Sequence, residues 1–327
     1  MPATSESMGR DMASYEDRLA DLVTAAKESE TTQLHVLHDG RELTSLDGNG
    51  EALNTASVTK LLVNITVGRA VRLGLLALDD PVHRWFPEWS NGPRARITIR
   101  HVMGHVSGLA ADTWPQLDVS PPPDLVAYVL HELPLVKEPG RFWAYNNAAV
   151  MVLPAVVSRA AGMPYLEFAR REMFEPLGID HWTWRCDEAG NPLAMATAAV
   201  NAASLAKCGQ LLAQDGWWEG NQLLDPDWVS VCRRPPIEAV RGAGLLMFEG
   251  WSDDRAVGDP IAFGHDGSGG QHLWIFPTSR LVIARLRDNR LPDNRGYDLG
   301  TPAQQFRDLV RLGAALEEAL LRTTDSE

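Results

Sequence analysis

Ser57, Val58, Thr59 and Lys60 put a hydroxyl and an amine three residues apart, at the head of the apolar run Leu61 to Ile65. On a helix beginning near Ser57, that spacing stacks both side chains on one face, one turn apart. A serine hydroxyl is a poor nucleophile until a base takes its proton. Lysine is such a base only when neutral, which means bringing its pKa from about 10.4 to near 7 at a cost of roughly 4 kcal/mol. Burial and a nearby positive field shift lysines by about 3 to 5 units, so the demand can be met. The start of a helix also supplies backbone N–H groups and a positive dipole end that favour an oxyanion. The bland alternative is a helix N-terminus with an exposed lysine. Composition weighs mildly against it: the only lysines are Lys27, Lys60, Lys137 and Lys207, the remaining basic residues are arginine, and arginine cannot serve as a base.

Two later segments add partners for this pair. Pro139 to Asn147 carries Tyr145-x-Asn147 after a Pro-Gly turn, and Phe263 to Gly270 carries His265-x-Gly267 at a glycine-rich strand entry. In order and spacing the three motifs resemble the serine β-lactamase and penicillin-binding-protein superfamily, specifically its class C β-lactamase-like branch of family VIII esterases, D-amino-acid peptidases and nylon-oligomer hydrolases. Gly74 to Val82, Ile97 to Leu109 and Gly216 to Pro226 resemble the same branch, so the similarity runs from about residue 15 to about 320.

The resemblance implies roles. Ser57 is the acyl-accepting nucleophile, Lys60 its partner, and Tyr145 the general base for attack and general acid for the leaving group. A phenol beside a protonated lysine has a lowered pKa, so the pair could pass one proton between nucleophile and leaving group. Asn147 matches the asparagine that orients substrate or lysine, whereas Asn146 falls at the variable position. His265 stands where β-lactamases commonly have a lysine that holds the substrate carboxylate; a neutral histidine is a weaker anion anchor. Gly267 permits close backbone approach, and the N–H of Ser268 joins that of Ser57 as the implied oxyanion hole. Asp266 would repel an anionic substrate if it faced the cleft. Trp143, beside Tyr145, is the tryptophan expected at the cleft, an aromatic wall for an apolar acyl or leaving group.

Other histidines and serines read as structural. His101-x-x-x-His105 has zinc-like spacing but lacks the glutamate of H-E-x-x-H, and no serine sits in G-x-S-x-G. No metal or cofactor is implied.

The elements that must position these residues are legible from periodicity. Leu19, Leu22, Val23 and Ala26 make a helical stripe from Tyr15 to Glu28. A hairpin follows, its first strand placing Leu34, Val36 and His38 on one face before an Asp39-Gly40 turn. The Ser57 helix runs to about Gly74. Strand signals return at Leu273 to Phe276 and Leu281 to Leu286, and an amphipathic helix from about Pro302 to Leu321 carries Phe306, Leu309, Val310, Leu316 and Leu320. Strands at both ends with helices between predict an α+β fold: an antiparallel sheet flanked by N- and C-terminal helices, with a large helical insertion. The expected division is a discontinuous sheet domain over 1–75 and 231–327 and a helical domain over 76–230, with the active site in the cleft between them.

A chain of 327 residues with 45% hydrophobic and 22% charged residues is an ordinary globular composition. Its net charge of -13 argues against a nucleic-acid partner and gives no help at an anionic membrane surface. Met1 to Asp21 lacks an apolar signal core, and Cys186, Cys208 and Cys232 suit reduced thiols, so the expected location is the cytoplasm. The expected activity is carboxylester hydrolysis of a small molecule through an acyl-enzyme, with amide or peptide cleavage second and β-lactam hydrolysis third. A non-catalytic binding or scaffold protein on the same fold is the rival from another class. Oligomeric state is not legible.

Overall fold

The computed structural model describes residues 13–111, 122–251, 258–288 and 308–324. Helix α1 (Tyr15–Glu28) opens on a capping box, Ser14 accepting from the Asp17 N–H while the Asp17 carboxylate accepts from Ser14. Strands β1 (Gln33–His38) and β2 (Arg41–Leu46) form the expected hairpin. Its turn residues Asp39 and Gly40 both have positive φ, 47° and 80°, the pattern that matches hairpin twist.

Both ends of the chain build one antiparallel sheet. Strands β6 (Phe248–Gly250), β7 (Ala262–Gly267), β8 (Gln271–Phe276) and β9 (Leu281–Leu286) run as a meander, and β1 adds beside β9 with Leu34 opposite Arg285 and Val36 opposite Ile283. The six-stranded order is β2-β1-β9-β8-β7-β6. Alternation along β8 and β9 sends their side chains to opposite faces. Trp274, Phe276, Leu281 and Ile283 meet Leu22 and Ala26 of α1 and Leu316 and Leu320 of α6 (Leu309–Thr324). Leu273, Ile275, Val282 and Ala284 join a larger core on the other side. The expected start of the last helix near Pro302, and its Phe306, lie outside the described residues.

Helix α2 (Thr59–Arg72) runs through the larger core, buried at every position from Thr59 to Gly68, as a helix enclosed on all sides must be. Around it lie α3 (Ile99–Met103), α4 (Val152–Ala161) and α5 (Ala202–Ala213). A small sheet of β3 (Leu53–Asn54), β4 (Thr183–Trp184) and β5 (Ala198–Val200), ordered β3-β5-β4, ties the start of α2 to the middle of the chain. Helix α5 departs from the expected division. It falls inside 76–230 yet packs against β1, β8 and β9, because its buried face of Leu205, Cys208 and Leu212 covers the inner sheet face.

Candidate active site

Ser57 sits at the bend between β3 and α2. Thr55 is clamped to β5: its N–H donates to the Ala198 carbonyl at 2.9 Å and its hydroxyl to the same oxygen at 2.8 Å. The Thr59 hydroxyl accepts from the Ala198 N–H at 3.1 Å and lies 3.1 Å from the Thr55 hydroxyl, to which it donates because the Thr55 proton is already committed. Between these anchors Ala56 adopts φ 46°, a left-handed conformation that costs an L-residue about 1–2 kcal/mol. Its N–H donates to Asn54 Oδ1 at 2.9 Å. A single 3-10 turn, Ala56–Val58, carries Ser57 and leads into α2, so the serine lies just before the helix rather than within its first turn.

Lys60 is fully buried, and its Nζ stands 3.3 Å from Ser57 Oγ, as the three-residue spacing requires. The amine donates to the Met195 carbonyl at 2.5 Å and lies 4.8 Å from the centre of the Tyr145 ring. Among the described residues no carboxylate pairs with it. Burial holds its pKa well below 10.5, which is what a base requires. Burial pushes the Tyr145 pKa up to about 12, against the opposing pull of the neighbouring Ser57 hydroxyl. The expected lowering of the phenol is therefore reversed. A buried amine without a counter-ion gives up its proton, and with it the positive charge that would have stabilised a phenolate.

Two buried histidines flank this pair in opposite tautomers. His105 Nδ1 accepts from the Asn146 backbone N–H at 3.1 Å, which leaves the proton on Nε2. His265 Nδ1 lies 2.6 Å from the Asp266 carbonyl, which can only accept, so its Nε2 is the bare nitrogen. The His105 ring lies 4.7 Å from that of Tyr145, and His265 lies 4.9 Å from Phe248 and 6.4 Å from Tyr145. Burial is the main cause that lowers both pKa values, that of His265 to about 4. His265 is only 1% exposed. It lies against Tyr145 and Phe248 rather than on an open wall as a substrate contact would.

Strand alternation settles where Asp266 points. Its carboxylate accepts from His272 Nδ1 at 2.6 Å and Trp274 Nε1 at 2.8 Å, and Trp274 belongs to the core on the opposite sheet face. It does not face the serine. Asn146 is structural: its amide donates to the Leu109 and Ala110 carbonyls at 3.0 Å each and accepts from the Ala149 N–H. Asn147 is half-buried, and its side chain bonds to no described residue, which leaves it open to a ligand. Trp143 meets His105 edge to face and, with His105, Ser107, Leu109, Val136 and Phe142, walls a cavity of about 400 Å³. Ser57 is not in that wall; the link to it runs through His105 and Tyr145. His101, the other half of the zinc-like pair, caps α3 instead.

Gly267 closes the site from the sheet side. A Cβ there would lie 2.6 Å from the Thr55 carbonyl oxygen and 3.1 Å from Ala56 Cβ, so only glycine lets β7 abut the serine bend. A tight turn follows, the Gly270 N–H donating to the Gly267 carbonyl at 3.2 Å with Gly269 at φ 79°. Ser268, half-buried, sits in this turn beside the bend. Sequence reasoning missed the Met195 carbonyl, which carries no side-chain signal, and Phe248, whose contacts join distant segments. The alternation Thr55-x-Ser57-x-Thr59 was a visible sign of the clamp.

An antiparallel sheet carrying both terminal helices on one face, with a serine, a buried lysine and a tyrosine meeting beside it, is the arrangement of the β-lactamase and penicillin-binding-protein class. The beta-lactamase family model matches residues 19–300, and the chain belongs to that family. Over 142 residues it is 38% identical to Esterase EstB of Burkholderia gladioli, a match covering 38% of this chain and 36% of the esterase. Over 132 residues it is 29% identical to Penicillin-binding protein 4* of Bacillus subtilis, covering 38% of this chain and 29% of that protein. The matched segments thus span about a third of the length of these curated relatives. In fold, the chain is similar to a penicillin-binding-protein homologue from Caulobacter crescentus, with TM-score 0.70, 18% identity, and coverage of 92% of this chain and 98% of that one.

Proposed function

We propose that this chain hydrolyses small carboxylic esters through an acyl-enzyme on Ser57. The observation that carries the reading is the Ser57 hydroxyl beside two groups that burial pushes toward their neutral forms, the Lys60 amine at 3.3 Å and the Tyr145 phenol. Ser57 Oγ attacks the ester carbonyl as its proton passes to Lys60 Nζ. The N–H groups of Ser57 and Ser268 receive the oxyanion. On collapse the C–O bond breaks, and the alkoxide takes a proton from the Tyr145 hydroxyl, which Lys60 then replenishes. Water, giving up a proton by the same route, attacks the acyl-enzyme and releases the acid and the free serine.

The ester preference draws on the likeness to Esterase EstB and on the absence of charge at His265, which leaves that position without a cation for the carboxylate of a β-lactam. The cavity beside Trp143, with Leu109, Val136 and Phe142 in its wall, suits an apolar acyl chain, and Asn147 would bond the ester. Amide cleavage ranks second and β-lactam cleavage third. No helix among the described residues is by itself long and apolar enough to cross a membrane.

The test is intact-mass spectrometry with p-nitrophenyl butyrate, followed by peptide mapping. A butyryl adduct on Ser57 is expected, and Ser57→Ala should form none, its ester turnover falling at least ~10³-fold. Unchanged turnover in that variant would remove the reading, and faster turnover of a cephalosporin than of the ester would reverse the ranking.

A further inference from the structure

The turn that carries Ser268 is held from behind by a residue of β9. Arg285, with 0% exposure, reaches across the end of the sheet. Its Nη1 donates to the Gly270 carbonyl, its Nε to Thr31 Oγ1 at 2.8 Å, and its Nη2 to the Ser29 carbonyl at 2.6 Å and Ser29 Oγ at 3.2 Å. Ser29 is the C-cap of α1, where unpaired carbonyls favour a cation. One guanidinium therefore bolts the β7–β8 turn to the end of the N-terminal helix. Gln271 adds a second fastening: its Nε2 donates to the Arg287 carbonyl at 2.9 Å, and its Oε1 accepts from the Arg287 N–H at 3.0 Å. On its other side the turn meets the serine bend through Gly267.

We propose that Arg285 is a positioning residue for the oxyanion hole, setting the Ser268 N–H through the Gly270 carbonyl; this rests on the acyl-enzyme reading. A tetrahedral oxyanion gains from a donor only when the donor already stands where the charge develops. The planar fork fixes direction in a way that an ammonium on a flexible stem does not. Capping α1 alone would call for the bonds to Ser29 and Thr31. The bond to Gly270 is the one directed at the site.

Arg285→Lys keeps a cation and loses the fork. Fluorophosphonate labelling counts the reactive Ser57 in each preparation, and p-nitrophenyl butyrate gives kcat and KM per labelled site. Butylboronic acid, which forms a tetrahedral adduct on serine, reports the oxyanion hole directly. Expected are an unchanged labelled fraction, kcat per site lower by ~10- to 100-fold with KM within ~3-fold, and boronate affinity lower by a similar factor, since a donor misplaced by about an ångström costs up to ~10²-fold. Thr31→Val, which removes one guanidinium partner and leaves the turn sequence intact, should show the same pattern at ~2- to 5-fold and serves if the lysine variant does not fold. A loss confined to the labelled fraction, with kcat per site and boronate affinity unchanged in both variants, would make Arg285 purely structural and overturn the proposal. Failure of the acyl-enzyme reading looks different, since wild type itself would then take no label on Ser57.

Discussion

Lys60 and Tyr145 share one enclosure, and burial acts on them in opposite directions: it removes the charge of an amine and preserves the proton of a phenol. Lys60 falls well below its ordinary 10.5 while Tyr145 rises to about 12. Ester turnover should rise with pH as Lys60 loses its proton, and Tyr145 should stay a phenol across that range. Tyr145→Phe is then expected to lower kcat/KM by ~10²- to 10⁴-fold, the usual worth of a positioned proton donor, while the rising limb keeps its position on the pH axis. Disappearance of the limb would make tyrosine the base. The choice of these residues as candidates rests on local spacing, three positions for Ser57 and Lys60 and one motif for Tyr145. Their protonation was not legible, because it depends on enclosure by Met195, His105 and His265, which lie up to 205 positions away along the chain. That distance is why a phenol expected to be acidified is the reverse.

The serine bend and the β7–β8 turn are short elements that owe their shape to each other. Ala56 holds a left-handed φ because Thr55 is clamped to Ala198, Asn54 takes the Ala56 N–H, and Gly267 lets the strand press against both. Gly267→Ala places a Cβ about 2.6 Å from the Thr55 carbonyl oxygen, so strand and bend must separate. The expected result is a folded protein whose kcat falls by roughly 10²-fold, the penalty of an ångström-scale displacement at a reacting centre. Circular dichroism and acylation kinetics on one preparation check it, and unchanged acylation would show that the two elements need not touch. Long periodic elements were read well: α1 and the first hairpin have the expected bounds, and α2 ends at Arg72, near the expected Gly74. The small β3-β5-β4 sheet was not, since strands of two or three residues have no periodicity to detect. It nevertheless supplies the clamp on Thr55.

At the scale of the whole molecule, the sheet is a partition between two cores, one holding α2 and the other holding α1 and α6. Helices α1 and α6 pack together on the outer face, and their apolar stripes were readable. What fixes α6 was not, because it joins residues 38 positions apart: Glu317, 7% exposed, accepts at one oxygen from the Ser279 N–H at 3.1 Å and hydroxyl at 2.9 Å. The packing of α5 against the sheet was not readable for a similar reason, since a buried stripe does not say which surface covers it. Burial raises the Glu317 pKa above its ordinary 4.5, with the Ser279 bonds opposing the shift. The unfolded chain releases this proton near 4.5 and the folded chain releases it later, so the stability it contributes is complete below 4.5 and lost as pH rises through the folded value. Glu317→Gln keeps the accepting oxygen and never ionises. Its melting temperature should match that of wild type in acid and exceed it by about 1–2 °C at pH 8, with kcat and KM unchanged because the residue lies on the sheet face away from Ser57. A melting difference that stays constant with pH would show that the carboxylate ionises normally where it sits, leaving α6 held by its apolar stripe and the neutral geometry of Ser279 alone.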